Sequence, residues 1–233
     1  MRDVSRVLVV VPAHDEEAVL GRCLDHVAIA AAVDQIGPDV TVRTVVVLDD
    51  CSDASATIAA GHDVEVVASC ARNVGVARAL GIAVAARDVV DASATWVATT
   101  DADSRVGVSW LADHLAVARA GHDALIGRVR PDPADLLPAV MGEWHRRHRR
   151  LGHHVHGANT GVRLGAYRAV GGFLPLATGE DVALVEALRA HGASVACGGA
   201  PVVTSGRGRA RAPDGFASYI GALTLEVCPV PPR

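Results

Sequence analysis

The stretch Val7–Glu17, VLVVVPAHDEE, decides the architecture. Five consecutive aliphatic residues, Val7–Val11, closed by Pro12, make a strand buried on both faces. Such strands lie inside parallel sheets flanked by helices. The residues after the strand are as informative. A chain that binds a dinucleotide through this layout carries G-x-G-x-x-G here, so that backbone N–H groups cradle a pyrophosphate at a helix start. This chain carries His14, Asp15, Glu16 and Glu17 instead. Carboxylates there repel phosphate, so a bound phosphate sits elsewhere, beside a cation.

The same pattern repeats outward from this strand. Val42–Leu48 is a second buried strand ending in Asp49-Asp50, Val64–Ala68 a third, and Ala94–Thr99 a fourth that runs into Asp101-Ala102-Asp103. Helical spacing fills the gaps: Glu16 to Val33, the segment ASATIAAG closed by Gly61, Asn73–Val89 with Asn73 as N-cap, and Ser109–Ala120 closed by Gly121. Alternating strands and helices predict an α/β fold, a Rossmann-like, mostly parallel sheet with helices on both faces. Beyond Gly121 the pattern changes. HDALIGRVRP reads as a sheet-edge strand, Pro133–Arg150 as a polar helix and HGANTGVR as a glycine-rich turn. Glu180–His191 reads as a helix, ASVACGGAPVVTSG as two short strands and FASYIGALTLEV as a last helix. The expected plan is one domain with two subregions, 1–120 and 121–233.

Composition excludes several classes. The 233 residues are 50% hydrophobic but only 3% aromatic, so small and β-branched side chains must build the core. The net charge of −4 gives no footprint for nucleic acid. All 22 basic residues other than histidine are Arg, a composition bias. Cys23, Cys51, Cys70, Cys197 and Cys228 are scattered without C-x-x-C, as reduced thiols in a cytoplasmic protein are. The N-terminal apolar run is too short for a signal peptide, and no run approaches the ~18 apolar residues of a membrane span.

In open α/β sheets ligands sit at the carboxyl ends of the strands. Here those ends carry His14-Asp15-Glu16, Asp49-Asp50, Arg72-Asn73 and Asp101/Asp103. Carboxylates gathered this closely repel one another unless a cation joins them. In extended backbone, residues i and i+2 face the same side, so Asp101 and Asp103 can share one ion. Their hard oxygens suit Mg²⁺ or Mn²⁺. Taken alone, the pair is better explained as a cap for the following helix. Glu180-Asp181, likewise, complements a helix dipole.

The segments VVVPAHDEE, VVVLDDCSDAS, ARNVGVARALGIAVA, TTDADS and VGGF…GEDVALVEALRAHG stand in an order that resembles family 2 glycosyltransferases of the GT-A fold. The resemblance runs from about Arg6 to Gly206. It implies that Pro12, His14 and Glu16 line a nucleotide pocket, that Asp50 contacts the base, and that Arg78 faces the nucleotide or its phosphates. It places Asp101 near ribose or sugar hydroxyls and makes Asp103 the main ligand of a Mn²⁺ or Mg²⁺ ion. Asp181 resembles the general base of an inverting displacement, with Glu180 orienting the acceptor. Asn159 resembles the loop near acceptor and sugar. Apart from the resemblance, Arg207, Arg209 and Arg211 form a basic loop that is either solvated or folds over the diphosphate once the donor binds. The implied donor is a UDP- or GDP-sugar. The implied acceptor is a hydroxyl, lipid-linked or on a small molecule.

Two positions depart from the family pattern. Asp15 stands where Asn is usual, and Ala54 where an Asp often follows D-D-x-S, with Asp53 one place earlier. The Q-x-x-R-W motif of processive members is missing, which points to single additions. Three readings stay open: a retaining transferase, a nucleotidyltransferase forming nucleotide sugars, and a non-catalytic nucleotide-binding module. His153, His154 and His156 match no structural zinc spacing, although one of them can complete a metal site. The basic helix face before them reads first as a solvated face, and second as one suited to an anionic membrane or a phosphorylated acceptor. The apolar tail suits the core, a homodimer interface or the inner membrane face.

Overall fold

The computed structural model describes residues 3–148, 155–176, 178–207 and 215–228. The first half alternates as expected: β1 (Arg6–Ala13), α1 (Leu20–Ala31), β2 (Thr41–Asp49), α2 (Ser55–Ala60), β3 (Glu65–Ser69), α3 (Val74–Ala85) and β4 (Thr95–Thr99). There follow β5 (Ser104–Arg105), α4 (Trp110–Arg119), β6 (Ala124–Pro131), α5 (Pro138–His148), β7 (Thr160–Arg163), α6 (Leu164–Ala169), α7 (Glu180–Ala190), β8 (Val195–Thr204) and α8 (Phe216–Val227).

All these strands join one sheet in the order β3-β2-β1-β4-β7-β6-β8-β5. Pairings among β1, β2, β3 and β4 are parallel, as is β6 with β8. β7 runs antiparallel to both β4 and β6, and β5 antiparallel to β8. The sheet is therefore mixed, with its antiparallel part in the second half. β1 shows why its sequence has no polar alternation. Val7, Val9 and Val11 pack on one face with α1 and α4; Leu8 and Val10 pack on the other with α3, α6 and α7. Gly81 lets α3 approach closely, since a Cβ there would lie 2.5 Å from Val10 Cγ1.

Four expectations need correction. α1 starts at Leu20 rather than Glu16, because the loop before it is tied elsewhere: Glu16 N–H donates to Ser55 Oγ and Glu17 N–H to Asp53. β6 is interior, between β7 and β8, not an edge strand. The two short strands expected near the end are one strand, β8, whose register against β6 shifts at the Gly198 bulge and then resumes. The expected glycine-rich turn supplies β7, a strand without an apolar run.

A buried polar chain ties the halves together beneath the sheet's centre. Trp96 Nε1 donates to His114 Nδ1 at 3.0 Å. An indole N–H only donates, so the imidazole proton sits on Nε2, which donates to Asn159 Oδ1 at 3.2 Å. Trp110 Nε1 donates to the same oxygen, and Asn159 Nδ2 donates to the Arg128 carbonyl. Burial lowers the His114 pKa to about 4. A second ring proton would also face the Trp96 N–H. The folded chain thus binds fewer protons than the unfolded one between pH ~6.5 and ~4, and stability falls as pH falls through that window. Two pKa units of this window are worth about 2–3 kcal/mol. Between pH 7 and 4.5, urea unfolding should therefore cost His114→Gln less of its own stability than it costs the parent; equal losses would refute the assignment.

Candidate active site

A cavity of about 1040 Å³ opens along the carboxyl ends of β1, β2 and β4. The first three strand ends each deliver a polar group by a strained turn. Asp15, Asp50 and Arg72, which follow β1, β2 and β3, are the non-glycine residues at positive φ among those described, at 50°, 55° and 48°. Left-handed backbone costs an L-residue about 1–2 kcal/mol and is least costly for Asn and Asp. That accounts for Asp at position 15, where Asn is the residue expected. Asp15 in turn accepts the Ser52 and Asp53 N–H groups, locking the β1 and β2 loops together.

Asp50 projects from this junction and pairs with Arg72 at 2.7 Å; Arg72 lines the cavity and Asp50 does not. Its neighbour Asp49 lines it instead and is 4% exposed. Asp49 accepts three backbone N–H groups, from Ala71, Arg72 and Asn73. The doubled Asp is legible in the sequence, but which of the two turns inward is not. Pro12, His14 and Glu16 line the cavity, and His14 Nδ1 donates to the Asp49 carbonyl at 2.6 Å.

Arg78 is the deepest charged group of the cavity. It is 3% exposed, on the α3 face against the sheet. One Nη pairs with Glu180 and the other with Asp101 Oδ1 at 2.5 Å, and its guanidinium lies 5.7 Å from the Phe173 ring centroid. Gly157 makes room for it, since a Cβ there would lie 2.4 Å from the guanidinium. Arg78 therefore bridges the two acidic motifs more than it faces a phosphate. The sequence signal for this is an Arg inside the apolar helix VGVARALGIAVA, where a buried cation demands buried anions.

The Asp101/Asp103 pair does not sit on extended backbone. Ser104 N–H donates to the Asp101 carbonyl at 3.0 Å, closing a turn, so strand alternation does not align the carboxylates. Asp101 is drawn to Arg78. Asp103 turns the other way, toward Thr204 Oγ1 at 3.1 Å and Arg207 at 2.8 Å. Burial, aided by Asp101 and Glu16, pushes the Asp103 carboxyl up to about 6, against the pull of Arg207. Arg207 also clasps Glu16 with both Nη atoms, at 2.9 and 2.6 Å. Among the described residues, three possible metal-ligand atoms come within 4.8 Å of one another at Asp15, Cys51 and Asp53. Both carboxylates of that group are held by loop N–H groups.

Glu180 and Asp181 open α7 and both line the cavity. Glu180 is 5% exposed; burial pushes its carboxyl up while Arg78 pulls it down. Asp181 faces the space more openly, with Oδ2 accepting the Gly157 N–H at 2.7 Å and Oδ1 the Val182 N–H at 2.8 Å. Asn159 needs correction. It is 1% exposed and its amide is consumed by the buried chain of Trp110, His114 and Arg128, so it supports the site from within the core and does not reach an acceptor.

The far end of the cavity draws on the basic helix and the apolar tail, which no motif in the sequence joins. His148, His156, Phe216 and Tyr219 line it, carried partly by α5 and α8. Those two helices pack on each other through Val140, Trp144, Ile220 and Leu223, a small core separate from the sheet's. Sequence patterning hides this partnership, because each helix shows only a few apolar positions to the other. The expectations for His153, His154, Arg209 and Arg211 lie outside the described residues. Among the described residues, no helix is long and apolar enough to cross a membrane.

This arrangement matches known proteins in fold. TarS 1-349 of S. aureus, solved in complex with UDP-GlcNAc, superposes with a TM-score of 0.66 at 15% identity, over 96% of this chain and 67% of that one. The chain spans 40% of a longer TarS structure. Mannosyltransferase PcManGT from Pyrobaculum calidifontis, in complex with GDP-Man and Mn²⁺, gives 0.63 at 18% identity, over 98% and 72%. Glucosyl-3-phosphoglycerate synthase of M. tuberculosis gives 0.57 at 17% identity, over 98% and 82%. No curated protein matches by sequence. The model of one sequence family, described as Glycosyl transferase family 2, matches residues 8–170, well over half of the chain. The chain thus belongs to glycosyl transferase family 2, and its mixed sheet with helices on both faces is that of GT-A glycosyltransferases.

Proposed function

We propose that the chain moves one sugar from a UDP- or GDP-sugar to an acceptor hydroxyl, by an inverting displacement assisted by a divalent cation. The observation that carries this reading is the meeting, in one cavity, of the Glu16/Asp103 acids with Asp181 on α7. The two acid groups belong to opposite ends of a single displacement, one beside the leaving diphosphate and one beside the attacking hydroxyl.

The residues fit a metal. Glu16 and Asp103 offer hard carboxylate oxygens, and a guanidinium, that of Arg207, already lies among them as a stand-in cation. Asp103 would be the main ligand and Glu16 a second, while Asp101 stays with Arg78. The ion, once bound, supplies Lewis-acid stabilisation to the diphosphate leaving group. Asp181 takes the proton of the acceptor hydroxyl, held in place by the Gly157 N–H. Glu180 is committed to Arg78 and keeps α7 at the right height rather than touching the acceptor. The cavity end lined by Phe216 and Tyr219 takes the acceptor.

A thermal-shift screen of UDP- and GDP-sugars with and without Mn²⁺ tests the donor and metal. At about 100 Kd a ligand adds about 2.7 kcal/mol. For a chain of this size that is a rise of about 5–10 °C. Asp103→Ala should lose the Mn²⁺-dependent part of it. No Mn²⁺-dependent rise with any donor would sink the metal reading. Release of nucleoside diphosphate from the sugar donor, against pyrophosphate release from a nucleoside triphosphate and a sugar phosphate, separates transfer from nucleotidyl chemistry. The anomeric configuration of the product, read by NMR, decides between inversion and retention.

A further inference from the structure

We infer that Arg207 is a built-in competitor of the divalent cation, whose guanidinium holds the acid cluster closed until metal displaces it. This rests on the metal reading above. Arg207 makes a two-pronged bond to Glu16, Nη1 to Oε2 at 2.9 Å and Nη2 to Oε1 at 2.6 Å. Its Nη2 also reaches Asp103 Oδ2 at 2.8 Å. The side chains of Glu16 and Asp103 are 8% and 14% exposed, so water screens them poorly. Glu16 cannot swing away easily, because its own N–H is anchored on Ser55. Asp103 is steadied by Thr204. Two buried carboxylates pinned side by side need positive charge between them. Arg207 supplies it from three residues beyond β8, a position outside the sheet ladder.

An ion bound to Asp103 Oδ2 or Glu16 meets the positive guanidinium on the same oxygens, and two cations that close in a poorly screened site repel strongly. The ion therefore works against Arg207, and part of its binding free energy is spent on that exchange. Linkage makes the effect reciprocal: what weakens Arg207 at the acids tightens metal, and metal loosens Arg207. The backbone at Arg207 is tethered by Gly206 N–H to Asp135 Oδ2 and by Arg207 N–H to Ser205 Oγ.

Mn²⁺ titration of the whole chain without donor, read by the electron paramagnetic resonance signal of free Mn²⁺, tests this. Arg207→Gln should bind Mn²⁺ at least fivefold more tightly than the parent. Arg207→Lys, which keeps the charge but loses the fork, should fall between them. Equal or weaker Mn²⁺ binding by Arg207→Gln overturns the inference while leaving the metal reading intact. Absence of Mn²⁺ binding in both chains overturns the metal reading and the inference with it. A second measurement needs no variant for its main result. On the parent chain, Mn²⁺ should speed tryptic cutting after Arg207, and should not do so in the control Asp103→Ala. A cutting rate indifferent to Mn²⁺ also overturns the inference.

Discussion

Asp181→Asn should lower turnover by about 10²–10⁴-fold while leaving the donor-induced thermal shift unchanged. The substitution is isosteric, and its carbonyl oxygen still accepts the Gly157 N–H that orients the side chain. The Val182 N–H loses its partner, at a cost of about 1 kcal/mol. That is small for a chain of this size. What disappears is the ability to accept a proton. Asp181 sits on α7, apart from the Glu16/Asp103 acids, so donor binding does not depend on it. Turnover within tenfold of the parent would remove Asp181 from the role of base. Glu180→Gln should act differently. Its loss is felt through Arg78, as a fall in stability together with turnover.

Arg78→Met should be the most damaging single change to the fold. Breaking a buried pair by removing one partner typically costs about 3–5 kcal/mol, because the surviving charge stays buried. Here the orphan is Glu180, whose side chain is 7% exposed. Asp101, at 34%, can turn to water and adds less. The expected fall in Tm is about 10 °C. Adding Glu180→Gln to Arg78→Met should recover part of the loss, since the uncompensated charge is then gone. Arg78→Lys should not restore the parent, because a single ammonium cannot bridge two carboxylates as a fork does. A thermal scan of the three variants checks this. A fall below about 2 °C for Arg78→Met would mean that the pair contributes little.

The legible part of this protein is the part held by local pattern. β1 and the Val45–Leu48 half of β2 announce themselves because burial on both faces forces residue after residue to be apolar. Asn73 is readable as an N-cap because capping is a contact over three residues, and its side chain does accept the Val76 N–H. The strand-end acids can be gathered on one edge by topology alone. What cannot be read depends on contacts across the chain. β7, with the sequence TGVR, becomes a strand only because β4 and β6 lie on either side of it. Asn159 is indistinguishable in sequence from a surface loop amide until Trp110 and His114 close on it. Asp101 and Asp103 look like ligands of one ion, yet the turn between them sends one to Arg78 and the other to Arg207. α5 and α8 carry too few matching apolar residues to reveal their partnership separately.

The two-residue strand β5 has a consequence in time. It begins directly after Asp103, and its partner is the end of β8: Ser104 pairs with Thr204, whose hydroxyl also bonds Asp103. One hundred residues of synthesis separate the two. At about 5–20 residues per second, the ribosome needs about 5–20 s to cover that distance. Throughout that interval the nascent chain carries its acids without the strand, the threonine or the arginine that order them. The half that carries Glu16 and Asp103 is made first, and its acids are ordered only once Thr204 and Arg207 have followed.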